Sequence, residues 1–256
     1  MSDVVALGDA ARVPLETLLT EREPSGIYQP RILAARALGA IHANDILLEF
    51  LQNPRLLSDA VERAGEEAVM NGAAEVLAQN RFEAAFETLR AIVAARPHLI
   101  GTVHALAAFG RAAAIPELVT ALGDDGSRHA AEEGLRRLGL PASRCLLDRL
   151  ERLAADQSRH FETNVRHRHA ILAMLLALGL PPGGWPVVVP FMNDPDERVS
   201  AAACGIALVH GPPIARYDAL KLLQQIARTA DLRLRIEIDE ILKCADADEI
   251  EDSRRI

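Results

Sequence analysis

Aromatic residues, lysines and cysteines are all scarce in this chain of 256 residues, and each scarcity closes off a class of protein. Phe, Trp and Tyr together make up 4%, with one Trp and two Tyr. Sandwiches and barrels draw on alternating β-branched and aromatic runs, and no such runs occur. No stretch reaches the roughly 18 uninterrupted apolar residues of a membrane span. The opening residues, MSDVVALGDAARVP, lack a basic segment followed by an apolar one, so no secretion signal is expected. Cys145, Cys204 and Cys244 are odd in number, lie far apart and form no CxxC. That favours packed thiols in a reducing cytoplasm over a disulfide frame or zinc site. Only Lys221 and Lys243 among the 28 basic residues are lysines, a skew that suggests a GC-rich, bacterial-type genome. The net charge of −8 opposes general nucleic-acid binding, which rests on neutralising several phosphates at once.

What the chain has in abundance is alanine (44) and leucine (36), both at or near the top of the helix scale. An all-α fold follows. Shifting the chain by 70 residues lays Ile115-Pro116-Glu117-Leu118 on Trp185-Pro186-Val187-Val188, and Leu122-Gly123-Asp124 on Met192-Asn193-Asp194. Ala131, Gly134, Leu135 and Leu138 form one helical stripe. Ala34, Ala35, Leu38, Gly39 repeat that stripe, as do Ala105, Leu106, Phe109, Gly110 and, more loosely, Met174, Leu175, Leu178, Gly179. The endings at Gly39, Gly110, Gly139, Gly179 and Val209 are separated by 71, 29, 40 and 30 residues, a mean near 34 if the first gap holds two units. In this pattern a small residue admits the neighbouring helix, a large one fills the groove, and the terminal glycine takes the left-handed conformation that stops the helix.

Pro14, Pro54, Pro97, Pro116, Pro141, Pro186, Pro195 and Pro213 stand where helices are expected to begin, with Asp194 as an N-cap before Pro195. The expected pairs are 14–22 with 28–42, 44–52 with 54–79, 81–95 with 97–110, 113–123 with 126–138, 141–156 with 159–179, 184–193 with 196–209, and 213–229 with 231–243. The stripe is unclear in the second and seventh pairs, and Gly65 and Gly72 threaten to break the stretch 54–79.

Tetratricopeptide repeats share the period, but their W-x2-L-G-x2-Y signature is absent. Ile115-Pro116-x-Leu118-x-x-x-Leu122-x-Asp124, followed by Ala130-Ala131 and Leu138-Gly139, resembles the short HEAT-like repeats related to phycobilisome lyases. Asn193-Asp194-Pro195-Asp196, then Val199 and Ala201-Ala202-Ala203, is similar to the turn and second helix of that repeat. The resemblance is clearest over 13–41 and 111–210 and weaker over 44–95 and 212–256, with Trp185 in place of Ile and Val209 in place of Gly. It implies a single repeat domain over 1–256, a right-handed α-solenoid of about seven antiparallel helix pairs, ending in an acidic tail at 245–256.

Local motifs for chemistry are missing. His160, His167 and His169 cluster in SRHFETNVRHRHA; His160 and His167 share a helix face with Asn164 while His169 points away, and there is no HExxH. HEAT-like hydroxylases hold di-iron with His-Glu pairs, and none of the eight histidines here precedes a Glu. Pro181-Pro182-Gly183-Gly184-Trp185-Pro186 reads as a turn before a helix, lacking GxGxxG and a P-loop, and Trp185, in register with Ile115, is expected in the core. No enzyme, cofactor or metal is expected.

Charge is unevenly spread. Residues 44–89 carry nine acids against three arginines, whereas 126–170 carry nine arginines against six acids. Second helices line the concave side of a solenoid. Arg128, Glu132 and Arg136 then align at four-residue steps, and His160, His167, Arg168 and Arg198 extend the strip. The expectation is a cytoplasmic scaffold or adaptor that binds another protein, one with an acidic segment, on that face. The resemblance carries two alternatives: a DNA-binding or base-excision protein of the AlkD type, opposed by the acidic charge, and a bilin lyase or chaperone.

Overall fold

The computed structural model describes residues 8–21, 27–55, 57–155 and 161–253, apart from the side chains of Asp9, Phe161 and 244–253. It is all-α, and no strand occurs among the described residues. Fourteen α-helices follow one another among those residues. They are α1 (Arg12–Thr20), α2 (Gln29–Ala40), α3 (Asn44–Gln52), α4 (Ala60–Gln79), α5 (Ala85–Ala95), α6 (Ile100–Ala108), α7 (Ile115–Ala121) and α8 (Arg128–Leu138). Then come α9 (Pro141–Ala155), α10 (Phe161–Leu178), α11 (Trp185–Val188), α12 (Glu197–His210), α13 (Pro213–Thr229) and α14 (Leu232–Ser253). No helix among them is long and apolar enough to cross a membrane. The chain divides into two compact units, Met1–Arg137 and Leu138–Ile256.

Each expected helix has a counterpart, but several boundaries and caps differ. Pro54 does not open a helix: α4 begins only at Ala60, where the Asp59 carboxylate accepts the amides of Val61 and Glu62 at 2.8 and 2.9 Å. Gly65 and Gly72 lie buried inside an unbroken α4. The cap of α12 is Asp196 rather than Asp194; Asp194 instead takes the Asp196 amide at 3.0 Å, which turns the chain into the cap. The helix expected at 184–193 is a single turn, α11, continued as a 3-10 segment at Val189–Asn193. At the other end α14 runs on to Ser253, through the backbone of the expected acidic tail.

In the first unit the second helix of each expected pair packs on the next, α2 on α4 and α4 on α6, while α3 meets α5 and α5 meets α7 on the other side. Glycines at these contacts explain why the sequence repeats. A Cβ built on Gly39 would fall 2.0 Å from Val76 Cγ1, one on Gly101 2.6 Å from Asn71 Cβ, and one on Gly134 2.7 Å from Ala107 Cβ. These mark the α2–α4, α4–α6 and α6–α8 contacts in turn, with Leu38, Leu77, Leu106 and Leu135 fully buried beside them. Gly39 is therefore a close-approach residue within α2, not the terminator its position suggested; His42 adopts the positive φ there, at 59°. Gly110 and Gly139 do take the left-handed conformation, at φ 63° and 68°.

This unit also buries an ion pair. The Arg31 guanidinium on α2 is paired with the Glu66 carboxylate on α4, and both side chains are at most 3% exposed. Arg31 Nε donates to the Leu19 carbonyl at 2.8 Å, at the end of α1, and the guanidinium stands 5.5 Å from the centre of the Phe50 ring. One side chain thus joins α1, α2, α3 and α4. Burying charge is unfavourable by itself, so each member of the pair depends on the other to stay in the interior.

The second unit is also built from helices packed on one another. α10 packs on α12, α12 on α14, and α13 lies against α12. A Cβ on Gly205 of α12 would meet Leu176 of α10 at 3.0 Å and Ile241 of α14 at 3.1 Å. Gly179 ends α10 at φ 94°. Cys204, buried in α12, has its thiol pushed up to about 11 by burial, against a weaker opposing hydrogen bond with Ser200. Cys145 is half-buried, and the Cys244 side chain lies outside the described residues.

Candidate functional site

The expected binding strip falls in both units. Arg128, Glu132 and Arg136 lie on α8 in the first unit. Arg128 is tied down: its Nε donates to the Leu122 carbonyl at 3.1 Å and its Nη2 pairs with Asp125 at 2.5 Å. That guanidinium holds the end of the α7 turn against the start of α8. Arg136 pairs with Glu132 at 3.2 Å and is 51% exposed, and Arg137 pairs with Glu133 and is 55% exposed. Both pairs follow the four-residue spacing of a helix surface, where such contacts contribute only about 0.3–0.5 kcal/mol. Their guanidinium groups remain accessible.

In the second unit the strip thins out. His160 lies outside the described residues. His167 is 4% exposed within α10, so it offers no surface to a partner. The outward reading fails there because α10 is packed by α9 on one side and α12 on another, which leaves little of its circumference in solvent. Arg168 is mostly covered, and its Nη1 lies 3.5 Å from Asp194 Oδ2, next to the turn that leads into α12. His169 reaches Glu237 on α14 at 2.8 Å, so His167 and His169 have separate structural surroundings.

Arg198 stays on the surface, 51% exposed, and grips Asp196 through Nε at 3.1 Å and Nη2 at 2.8 Å. The hydrogen bond and charge of Asp196 raise the Arg198 pKa above its ordinary value. Burial works against ionised Asp196, but Arg198 and the amides of Arg198 and Val199 outweigh it and hold that carboxyl below its ordinary value. The pair is a helix cap with a charged lid.

Trp185 is half-buried rather than in the core. It lines an open cleft of about 530 Å³ together with Val189, Met192, Pro212, Ile214 and Lys221, beside α13. Ile115, which the 70-residue shift lays on Trp185, is 6% exposed, so the two positions aligned in sequence differ in cover.

No protein-family model matches the chain, and no curated protein matches it. The accessible arginines of α8 are therefore weighed on their chemistry alone. Arg136 and Arg137 are adjacent, so they point about 100° apart around α8, and each planar guanidinium suits a carboxylate, which it engages through paired N–H donors. Sequence reasoning missed the Arg31–Glu66 pair, because nothing in the spacing of residues 35 apart indicates that they meet. It also missed that Arg55 and Arg63, two of the three arginines in an acidic stretch, come together with Arg96 around one cleft.

Proposed function

We propose that the chain is a non-enzymatic interaction scaffold whose units are short HEAT-like solenoids. One observation carries the reading: successive second helices pack on one another through a glycine at each contact, Gly39, Gly101 and Gly134 in the first unit and Gly205 in the second. Stacking of this kind leaves the outer faces of neighbouring helices in register, the architecture on which repeat proteins build extended binding surfaces. The partner is another protein with an acidic segment, met by Arg136 and Arg137 on α8, and recognition is by shape and charge with no bond made or broken.

The full chain as bait in its native lysate tests this. Arg136→Glu with Arg137→Glu is the suitable variant, because both guanidinium groups are exposed and reversal costs only a few tenths of a kcal/mol from like charges beside Glu132 and Glu133. Arg128 is unsuitable, since its reversal would also release the Leu122 carbonyl. The expected result is loss of at least one captured protein with an unchanged circular dichroism spectrum. Unchanged capture would sink the assignment of α8. Tight filter retention of duplex DNA that weakens steeply with salt would replace the whole reading with a nucleic-acid one.

A further inference from the structure

The cleft beside Trp185 is bounded along its length by one continuous face of α13. Ile214, Asp218, Lys221 and Gln225 all line it, at steps of four, three and four, so they form a single seam along about three turns. All four are exposed. Opposite them stand Trp185, Val189 and Met192, from α11 and the 3-10 segment that follows it. Ile214 is 78% exposed, and Tyr217, nearly one turn along α13, is 71% exposed. Large apolar side chains gathered beside a cleft mark an interaction surface.

Two opposite charges occupy the middle of the seam, and no other charged residue lines the cleft. Neither the Asp218 carboxylate nor the Lys221 ammonium makes an ion pair or hydrogen bond among the described residues, not even with the other. The lining is therefore neutral in sum, and a wholly acidic or wholly basic occupant meets one like charge for each opposite one. A second α13 laid antiparallel does not. In a contact between identical copies about a two-fold axis, residue i meets residue j and j meets i. Steps of four, three and four read the same from either end, so Asp218 faces Lys221 of the second copy, and Lys221 faces its Asp218. Ile214 then faces Gln225. A parallel alignment would set Asp218 on Asp218 and Lys221 on Lys221. Arg228 lies seven residues beyond Lys221, about 10 Å along the helix and past the end of the seam.

We propose that the occupant is a second copy of this chain, and that α13 of each copy lies antiparallel in the cleft of the other. Two Asp218–Lys221 pairs then cross the two-fold axis, while Ile214, Tyr217 and Trp185 supply the apolar contact. The charges set direction and register, because slipped or parallel arrangements leave each of them covered without its opposite. The surface lies wholly within the second unit and takes nothing from α8, so it stands or falls independently of the reading given to Arg136 and Arg137.

The test is sedimentation velocity of the full chain over a dilution series, with tryptophan emission recorded on the same samples. Trp185 is the only tryptophan, so the emission reports on this cleft alone. The native chain should sediment as a dimer that dissociates on dilution, with emission moving to longer wavelength as the indole is uncovered. Asp218→Lys places two lysines on the seam and Lys221→Asp places two aspartates there. Each variant alone should self-associate at least about tenfold more weakly, with an unchanged circular dichroism spectrum because both side chains are exposed. An equimolar mixture of the two should form a heterodimer about as tight as the native dimer, since every crossing then joins a lysine to an aspartate. A chain that is monomeric at every concentration overturns the proposal, whatever other protein it captures. So does a dimer that persists in both variants, or a pair of variants that stays monomeric when mixed. A native dimer whose formation leaves Trp185 emission unchanged would also overturn it, because that dimer would use another surface.

Discussion

Glycine-to-alanine changes at two buried helical positions should have opposite signs, and the reason is tertiary. Alanine is favoured over glycine in a helix interior by about 1 kcal/mol, whichever helix is chosen. At Gly72 of α4 a methyl group would meet Ile32 at 3.5 and 3.7 Å, which is ordinary contact, so Gly72→Ala should realise most of that gain. At Gly39 of α2 the same methyl would fall 2.0 Å from Val76 Cγ1. Val76 is β-branched, so it has essentially one helical χ1 rotamer, and it is only 7% exposed. It cannot swing aside, and α2 and α4 must separate. Inserting a methyl group into a packed contact costs typically about 1–3 kcal/mol. Gly39→Ala should therefore lose up to about 2 kcal/mol while Gly72→Ala gains up to about 1 kcal/mol. Urea unfolding followed by far-ultraviolet circular dichroism measures both. Pairing Gly39→Ala with Val76→Ala makes room for the methyl, so the double variant should be more stable than the sum of the singles by more than about 0.5 kcal/mol. Stabilisation by Gly39→Ala, or simple additivity in the pair, would refute the close-contact account of the repeat.

Two other outcomes follow from charged side chains. Arg31→Met strands the Glu66 carboxylate in a site 2% exposed and should cost about 3–5 kcal/mol, whereas Arg31→Met with Glu66→Leu should recover most of it, short by about 1 kcal/mol for the Leu19 carbonyl left without its donor. Equal losses in the single and double variants, again by urea unfolding, would mean that shape rather than charge governs the site. Asp196→Ala removes the cap of α12 and should cost about 1 kcal/mol near neutrality. Because the folded carboxyl titrates below its ordinary value of 3.8, that contribution is complete above this value and is lost as pH falls through the lower folded one. A stability difference from the native chain that stays constant between about pH 7 and pH 3 would contradict this.

The order and number of helices were legible because their causes are local. Leucine at helical spacing, proline in first turns and glycine after last turns all act within a few residues, and α7, α8, α9 and α13 begin close to where those signals put them. The small residues of the stripe were legible too, though their roles were divided wrongly. Gly39 and Gly110 end the same motif in the sequence, but one admits Val76 from another helix and the other turns the chain at positive φ. Local spacing cannot separate those uses, since the first depends on a residue 37 positions away.

Surface was the least legible property. A charged or polar residue on a helix is exposed by default, and that default put His167 on a binding strip; α9 and α12 packing around α10 bury it instead. Charge summed along the chain made 44–89 acidic, whereas folding brings Arg55 and Arg63 of that stretch to the lining of one cleft with Arg96. By itself, then, the sequence determined a helical chain, its punctuation and the residues able to sit at close helix contacts, all of which follow from backbone preferences over three or four residues. Only the tertiary structure decided which glycine touches which neighbour, which charge is paired in the interior and where arginines from three elements converge. Those outcomes depend on distances between residues far apart in sequence, and helix packing alone sets such distances.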